Sequence, residues 1–199
     1  MKRWGLGLAV LGTAGLMVAG MVPADATVTA PRQDVAASNI QSTVFAQRYF
    51  SCYEDYGCSV TAMLPKTWRY VKLGSDEFRF LDRSVPRMVR FHVNLGGEVT
   101  TAAAAKEKQA ALRGTRGLKV LSRSTTTMKA TMQQGPLIVT TLVYTYKSGS
   151  TTRWVATRYI GQWGDKHANI EITVGGRLKD RALLTTVLNK ATSSVALSG

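Results

Sequence analysis

Few residues in this chain of 199 have the chemistry for catalysis: two histidines, His92 and His167, and two cysteines, Cys52 and Cys58. Nucleophilic catalysis needs a Ser or Cys beside a His and an orienting acid. His92 lies inside an alternating segment and His167 at the start of another. Both read as packed or solvated strand residues rather than bases, and no serine sits in a G-x-S-x-G elbow. Hydrolysis of a glycosidic bond would need two carboxyl groups with separated pKa values. Asp76, Glu77, Asp82, Asp165 and Glu171 are available. Glu171, on the polar side of a late alternating segment, is the acid an envelope-polymer hydrolase would use; its plainer role is an ion pair with a neighbour such as Arg158. No phosphate loop, dinucleotide-type glycine pattern, calcium loop or H-E-x-x-H occurs. The sequence therefore names no catalytic residue, no metal set and no cofactor.

Charge is the remaining functional signal. Lys and Arg number 26 against 12 Asp and Glu, a formal net charge of +14. Basic residues recur from Arg79 through Arg83, Arg87 and Arg90 to Arg113, Arg116, Lys119 and Arg123. Such an excess attracts polyanions with a steep salt dependence, and guanidinium forks suit phosphate and carboxylate. Arg87, Arg90 and Arg158, with His92 beside them, are expected to form part of an anion- or partner-contacting surface. Trp68, Trp154, Tyr144 and Tyr159 fall in strand patterns and read as core rather than as a stacking platform. Nucleic acid is not the expected partner, because no nucleic-acid-binding signature is present.

These side chains must be positioned by local elements. Segments 44–49, 60–64, 67–73, 77–81 and 87–95 read as strands; in the last, Val89, Phe91, Val93 and Leu95 share one face and Met88, Arg90, His92 and Asn94 the other. After Gly96-Gly97, residues 98–113 are rich in Ala, Lys and Glu and predict a helix closed by Gly114. Strand signals return over 118–134, 137–146, 152–162 and 168–174, and Gly175-Gly176 reads as the turn ending the last. Leu184, Val187, Leu188, Ala191 and Val195 then recur at helical spacing over 179–195. Short loops imply antiparallel pairing, and the order implies a single α+β domain over 44–199, an antiparallel sheet packed by helices.

The N-terminus reads as an address. Lys2 and Arg3 precede an apolar run from Leu6 to Val22, and Ala24-Asp25-Ala26 fits a cleavage site, so 1–26 is expected to be a signal peptide. Residues 27–43 read as a flexible leader. No cysteine ends the apolar run, which argues against a lipid anchor, and no later stretch is apolar enough to span a bilayer. Outside the cell, Cys52 and Cys58 are expected to form a small disulfide, which contributes only ~2–3 kcal/mol for so short a loop.

Several pieces together resemble the PsbP-like α/β/α sandwich superfamily, in particular its secreted actinobacterial LpqN-type branch. They are the Leu64-Pro65-x-x-Trp68 entry, the Phe80-x-Asp82 strand end, the helix after Gly96-Gly97, and the meander through Trp154 and Tyr159 with its closing helix. The resemblance implies an antiparallel sheet between helices and a non-catalytic binding or accessory role. The chain lacks the lipidated cysteine of that branch's anchored members, and no ligand residues transfer by position. The expectation is a secreted module of the bacterial envelope that binds an envelope polyanion or another envelope protein. The alternative is a carboxylate-based envelope-polymer hydrolase.

Overall fold

The computed structural model describes residues 42–51 and 59–198. The expected signal peptide, nearly all of the leader, and Cys52 and Cys58 lie outside them. Among the described residues ten strands form: β1 (Phe45–Ser51), β2 (Ser59–Pro65), β3 (Arg69–Lys72), β4 (Glu77–Leu81), β5 (Met88–Val93), β6 (Lys119–Lys129), β7 (Pro136–Ser148), β8 (Thr151–Gly161), β9 (Ile170–Arg177) and β10 (Ala196–Ser198). Helix α1 spans Thr101–Ala111 and α2 spans Arg181–Ser194, the latter entered through a 3-10 turn at Leu178–Asp180. Neither is long and apolar enough to cross a membrane.

Seven strands make one sheet in the order β3-β4-β5-β9-β8-β7-β6, and β1-β2-β10 make a second. All pairings are antiparallel. This is the expected α+β architecture. The second sheet is the unforeseen part: its third strand forms because Ala196–Ser198, after α2, return to pair with Thr61, Val60 and Ser59. A three-residue strand after a helix carries no periodicity to read.

One face of the large sheet is covered by α2 and the small sheet together. Phe78, Phe80, Val89, Phe91, Ile170, Ile172 and Val174 meet Leu184, Val187 and Leu188 of α2 and Val60, Ala62 and Leu64 of β2. Burying each such side chain contributes roughly 1.5–3 kcal/mol. On the other face α1 lies over β6, β7 and β8. It buries only Thr101 and Ala105, small residues that let helix and sheet approach closely. Thr100 caps it, accepting a hydrogen bond from Ala103 N at 3.2 Å. Ala105 packs there with Leu142, Tyr144, Val155 and Tyr159.

Two local readings need correction. Leu95 does not continue the inner face of β5: Asn94 adopts φ 58°, and Leu95 packs instead with the α1 cluster. Gly175 and Gly176 are not a turn but lie inside β9. A Cβ on Gly176 would stand 2.7 Å from Leu184 Cδ1 and 3.1 Å from Arg87 Cβ, so glycine here serves the close approach of α2 to the sheet.

Candidate functional site

Strand alternation decides where the expected anion surface goes, and it scatters it. Arg90 and His92 occupy the outer face of β5, the face α1 shares. Arg90 Nη2 donates to Glu77 Oε1 at 2.6 Å; His92 Nε2 lies 3.1 Å from Asp76 Oδ2 and Nδ1 3.8 Å from Glu77 Oε1. Arg158 pairs across β8 and β9 with Ile172, which places it on the opposite face, under α2. There it donates to Leu188 O, Thr192 Oγ1, Asn189 Oδ1 and Thr141 Oγ1. Burial lowers its pKa to about 10, so it stays cationic at neutral pH. Arg87 joins neither group: Nε donates to Asp82 Oδ2 at 2.6 Å and Nη1 to Asp180 Oδ1 at 3.5 Å, tying the β4–β5 turn to the start of α2. Arg87, Arg90, His92 and Arg158 are therefore not one surface, and each has its partners within the fold.

The same alternation separates Glu171 from Arg158, so the expected ion pair between them does not form. Glu171 belongs to a row that crosses the outer face through the paired residues Glu77, His92, Glu171, Tyr159, Thr140 and Thr125. It accepts a hydrogen bond from Thr173 Oγ1 at 3.0 Å and lies 3.9 Å from Lys108 Nζ of α1. Beside it, burial and then the Glu171 charge and hydrogen bond push the Tyr159 phenol far above its usual pKa of 10. A groove of about 370 Å³ opens here between α1 and β5–β9, holding Glu171, Glu107, Lys108 and His92 above an apolar wall of Leu95, Val99 and Ala168. It does contain two carboxylates, but Glu171 is nearly enclosed, with its side chain 9% exposed. Arg79 and Arg90 stand directly opposite each other on this face, and the Nε of each is buried without a hydrogen-bond partner among the described residues. No described cluster of His, Cys, Asp and Glu side chains could hold a metal ion.

A different place collects cations that have no acid of their own among the described residues. Where the small sheet meets the edge of the large one, Arg48, Lys66, Arg69 and Arg83 line a groove of about 600 Å³ with Trp68 and Tyr70. The inner face of β1 carries Arg48 and Phe50 toward the core, and the inner face of β3 carries Tyr70 and Lys72. Phe50 is swallowed, whereas Arg48 reaches only the mouth of the gap. Its Nη1 donates to Lys66 O and Trp68 O at 3.2 and 3.4 Å, and its guanidinium lies 5.1 Å from the Phe80 ring centroid. Lys66, Arg69 and Arg83 are exposed. They form no salt bridge among the described residues. The one acid in the lining, Asp82, is committed. Partial burial pushes its pKa up, but the Ser84 N–H and the Arg87 and Ser84 side chains more than offset this and hold it below the usual range.

Sequence reasoning missed this cluster because Arg48 stands far along the chain from Lys66, Arg69 and Arg83. What joins them is the lateral approach of two sheets. The usable signal was local: Lys66 and Arg69 flank the Pro65-x-x-Trp68 turn, and Arg83 follows Asp82.

Against known structures, the chain superimposes on LpqN of Mycobacterium tuberculosis, a protein involved in cell envelope biogenesis. The TM-score is 0.50 at 11% identity, over 82% of this chain and 96% of that one. The likeness is one of fold. A Pseudomonas aeruginosa protein of unknown function gives a TM-score of 0.45 at 11% identity, over 75% of this chain and 96% of that one. No family model matches the chain, and no curated protein does.

Proposed function

We propose that this protein is a non-catalytic, exported module of the bacterial cell envelope that binds a polyanion at the mouth between its two sheets. The observation that carries the reading is the groove itself: Arg48, Lys66, Arg69 and Arg83 converge on one space whose only acid among the described residues, Asp82, is held by Arg87 and Ser84. Cations gathered without counter-charges repel one another, and an anion from solution relieves that repulsion. The fold shared with LpqN and the formal charge of +14 support an envelope setting rich in phosphate and carboxylate polymers. The further placement of the chain in the secreted branch of the PsbP-like superfamily belongs to the same proposal.

The test is fluorescence anisotropy of a labelled polyphosphate chain titrated with the full-length protein at 50 and 200 mM salt. Binding should weaken steeply with salt, and Arg69→Glu/Arg83→Glu should abolish it at both concentrations with an unchanged melting temperature. Equal binding by wild type and double variant would refute the site. Salt-insensitive capture of one envelope protein instead would select an accessory-subunit role. The hydrolase reading retains one specific observation, Glu171 and Glu107 in the α1 groove. It requires release of reducing ends from an envelope polysaccharide that Glu171→Gln abolishes.

A further inference from the structure

The basic groove does not stop at its cations. Arg48 and Tyr70 also line a second groove of about 480 Å³, whose other walls are Tyr49, Lys72 and the buried rings of Phe50 and Phe80. The two spaces share Arg48 and Tyr70 and so adjoin along the inter-sheet mouth as a channel, with Lys66, Arg69 and Arg83 in the first stretch and Tyr49, Phe50 and Phe80 in the second. Tyr49 is 71% exposed and Tyr70 is 36% exposed. Tyr70 is also immobilised, with its ring centroid 6.2 Å from Phe50, 6.2 Å from Phe78 and 5.4 Å from Phe80. A fixed, half-exposed ring beside a fixed guanidinium offers contact area with little ordering left to do on binding.

From this channel we infer that the polyanion is a sugar–phosphate polymer, with phosphates on Arg48, Arg69 and Arg83 and sugar rings against Tyr70 and Tyr49. The inference rests on the proposed polyanion-binding function and specifies its ligand. Cations alone would accept any chain of phosphates. An aromatic stretch continuing from the same Arg48 favours a ligand that alternates charge with a ring. A single-stranded nucleic acid also alternates rings and phosphates. The envelope fold likeness favours sugar, and the experiment includes that rival.

Affinities of the full-length protein are measured by calorimetry for a poly(hexosyl phosphate), an inorganic polyphosphate of equal charge, a neutral dextran and an oligo-dT. The sugar–phosphate polymer should bind about tenfold tighter than polyphosphate, a difference of ~1.4 kcal/mol, and dextran not measurably. Tyr49→Ala and Tyr70→Ala should each lower affinity for the sugar–phosphate polymer about threefold to fivefold and leave polyphosphate unchanged. Tyr70→Phe should behave as wild type. Because Tyr70 also packs on three phenylalanines, the exposed Tyr49 provides the variant that does not depend on folding. Equal affinity for the two phosphate polymers, or tyrosine variants without effect, would overturn the ring contact while leaving the polyanion site standing. Loss of binding to both polymers in wild type would overturn the site itself. Tighter binding of oligo-dT would overturn the choice of sugar.

Discussion

The mouth between the sheets and the outer face of the large sheet are both rich in charge, yet they differ in what the charges face. On the outer face Arg90 meets Glu77, His92 meets Asp76, and Lys108 approaches Glu171. At the mouth, Lys66, Arg69 and Arg83 converge while Asp82 is turned toward Arg87. The first arrangement has its counter-ions built in and contributes to the fold. The second leaves its counter-ion to be supplied. A count of basic residues cannot separate the two, because the distinction lies in where the acids point.

The largest effect expected on the structural side is at Arg158. Arg158→Ala leaves Leu188 O, Thr192 and Asn189 without their donor beneath α2 and should destabilise the protein by about 2–3 kcal/mol. Polyphosphate affinity of the folded fraction should not change. A smaller effect is expected at Glu171. Glu171→Gln removes the charge facing Lys108 and should cost about 1 kcal/mol, read by urea unfolding. It should also let Tyr159 ionise at lower pH, because the Glu171 charge adds to burial in raising that phenol. Absorbance at 295 nm reports this. In wild type, Tyr144, raised to about 12 mainly by burial, should titrate well after the exposed tyrosines. A phenol raised in the folded state stabilises the fold below its unfolded pKa near 10, and that contribution is lost as pH climbs through the folded value.

Asp82 tests the boundary between the two regions. Its lowered pKa means that its contribution is present above the ordinary carboxylate range and is lost as pH falls through the folded value. Asp82→Asn should therefore flatten the acid side of the stability profile, and it should raise polyphosphate affinity by about twofold through removal of one like charge. The smallest effects belong to the outer face. Arg90→Ala and His92→Ala break partly exposed pairs and should each shift stability by less than about 1 kcal/mol, with no change in polyphosphate binding. A large binding loss in either would erase the distinction between the regions.

Much of the fold is legible in the sequence because the decisive patterns are local. The alternation of Val89, Phe91 and Val93 gives the buried face of β5, and the spacing of Leu184, Val187, Leu188 and Ala191 gives the buried face of α2. The same alternation rule, applied across strands, would have set Arg158 apart from Arg90 only with the β5-β9-β8 register known. The mouth was illegible for a stronger reason. Arg48 comes from the small sheet and Arg83 from the loop after β4 of the large one, yet both line one space, and nothing periodic in the sequence encodes that approach. Trp68 and Trp154 are core, as their strand patterns imply. Tyr70, which became the fixed ring of the channel, lay within a predicted strand and gave no sign of its exposure.

The most direct measurement of the central claim is the slope of log affinity for polyphosphate against log salt concentration, for wild type, Arg69→Ala/Arg83→Ala and Arg90→Ala. Each phosphate neutralised on a flexible chain contributes about −0.7 to that slope. The groove variant should lose about 1.4 of slope magnitude relative to wild type, while Arg90→Ala keeps the wild-type slope. Matching slopes for wild type and the groove variant, or a loss confined to Arg90→Ala, would contradict the central claim.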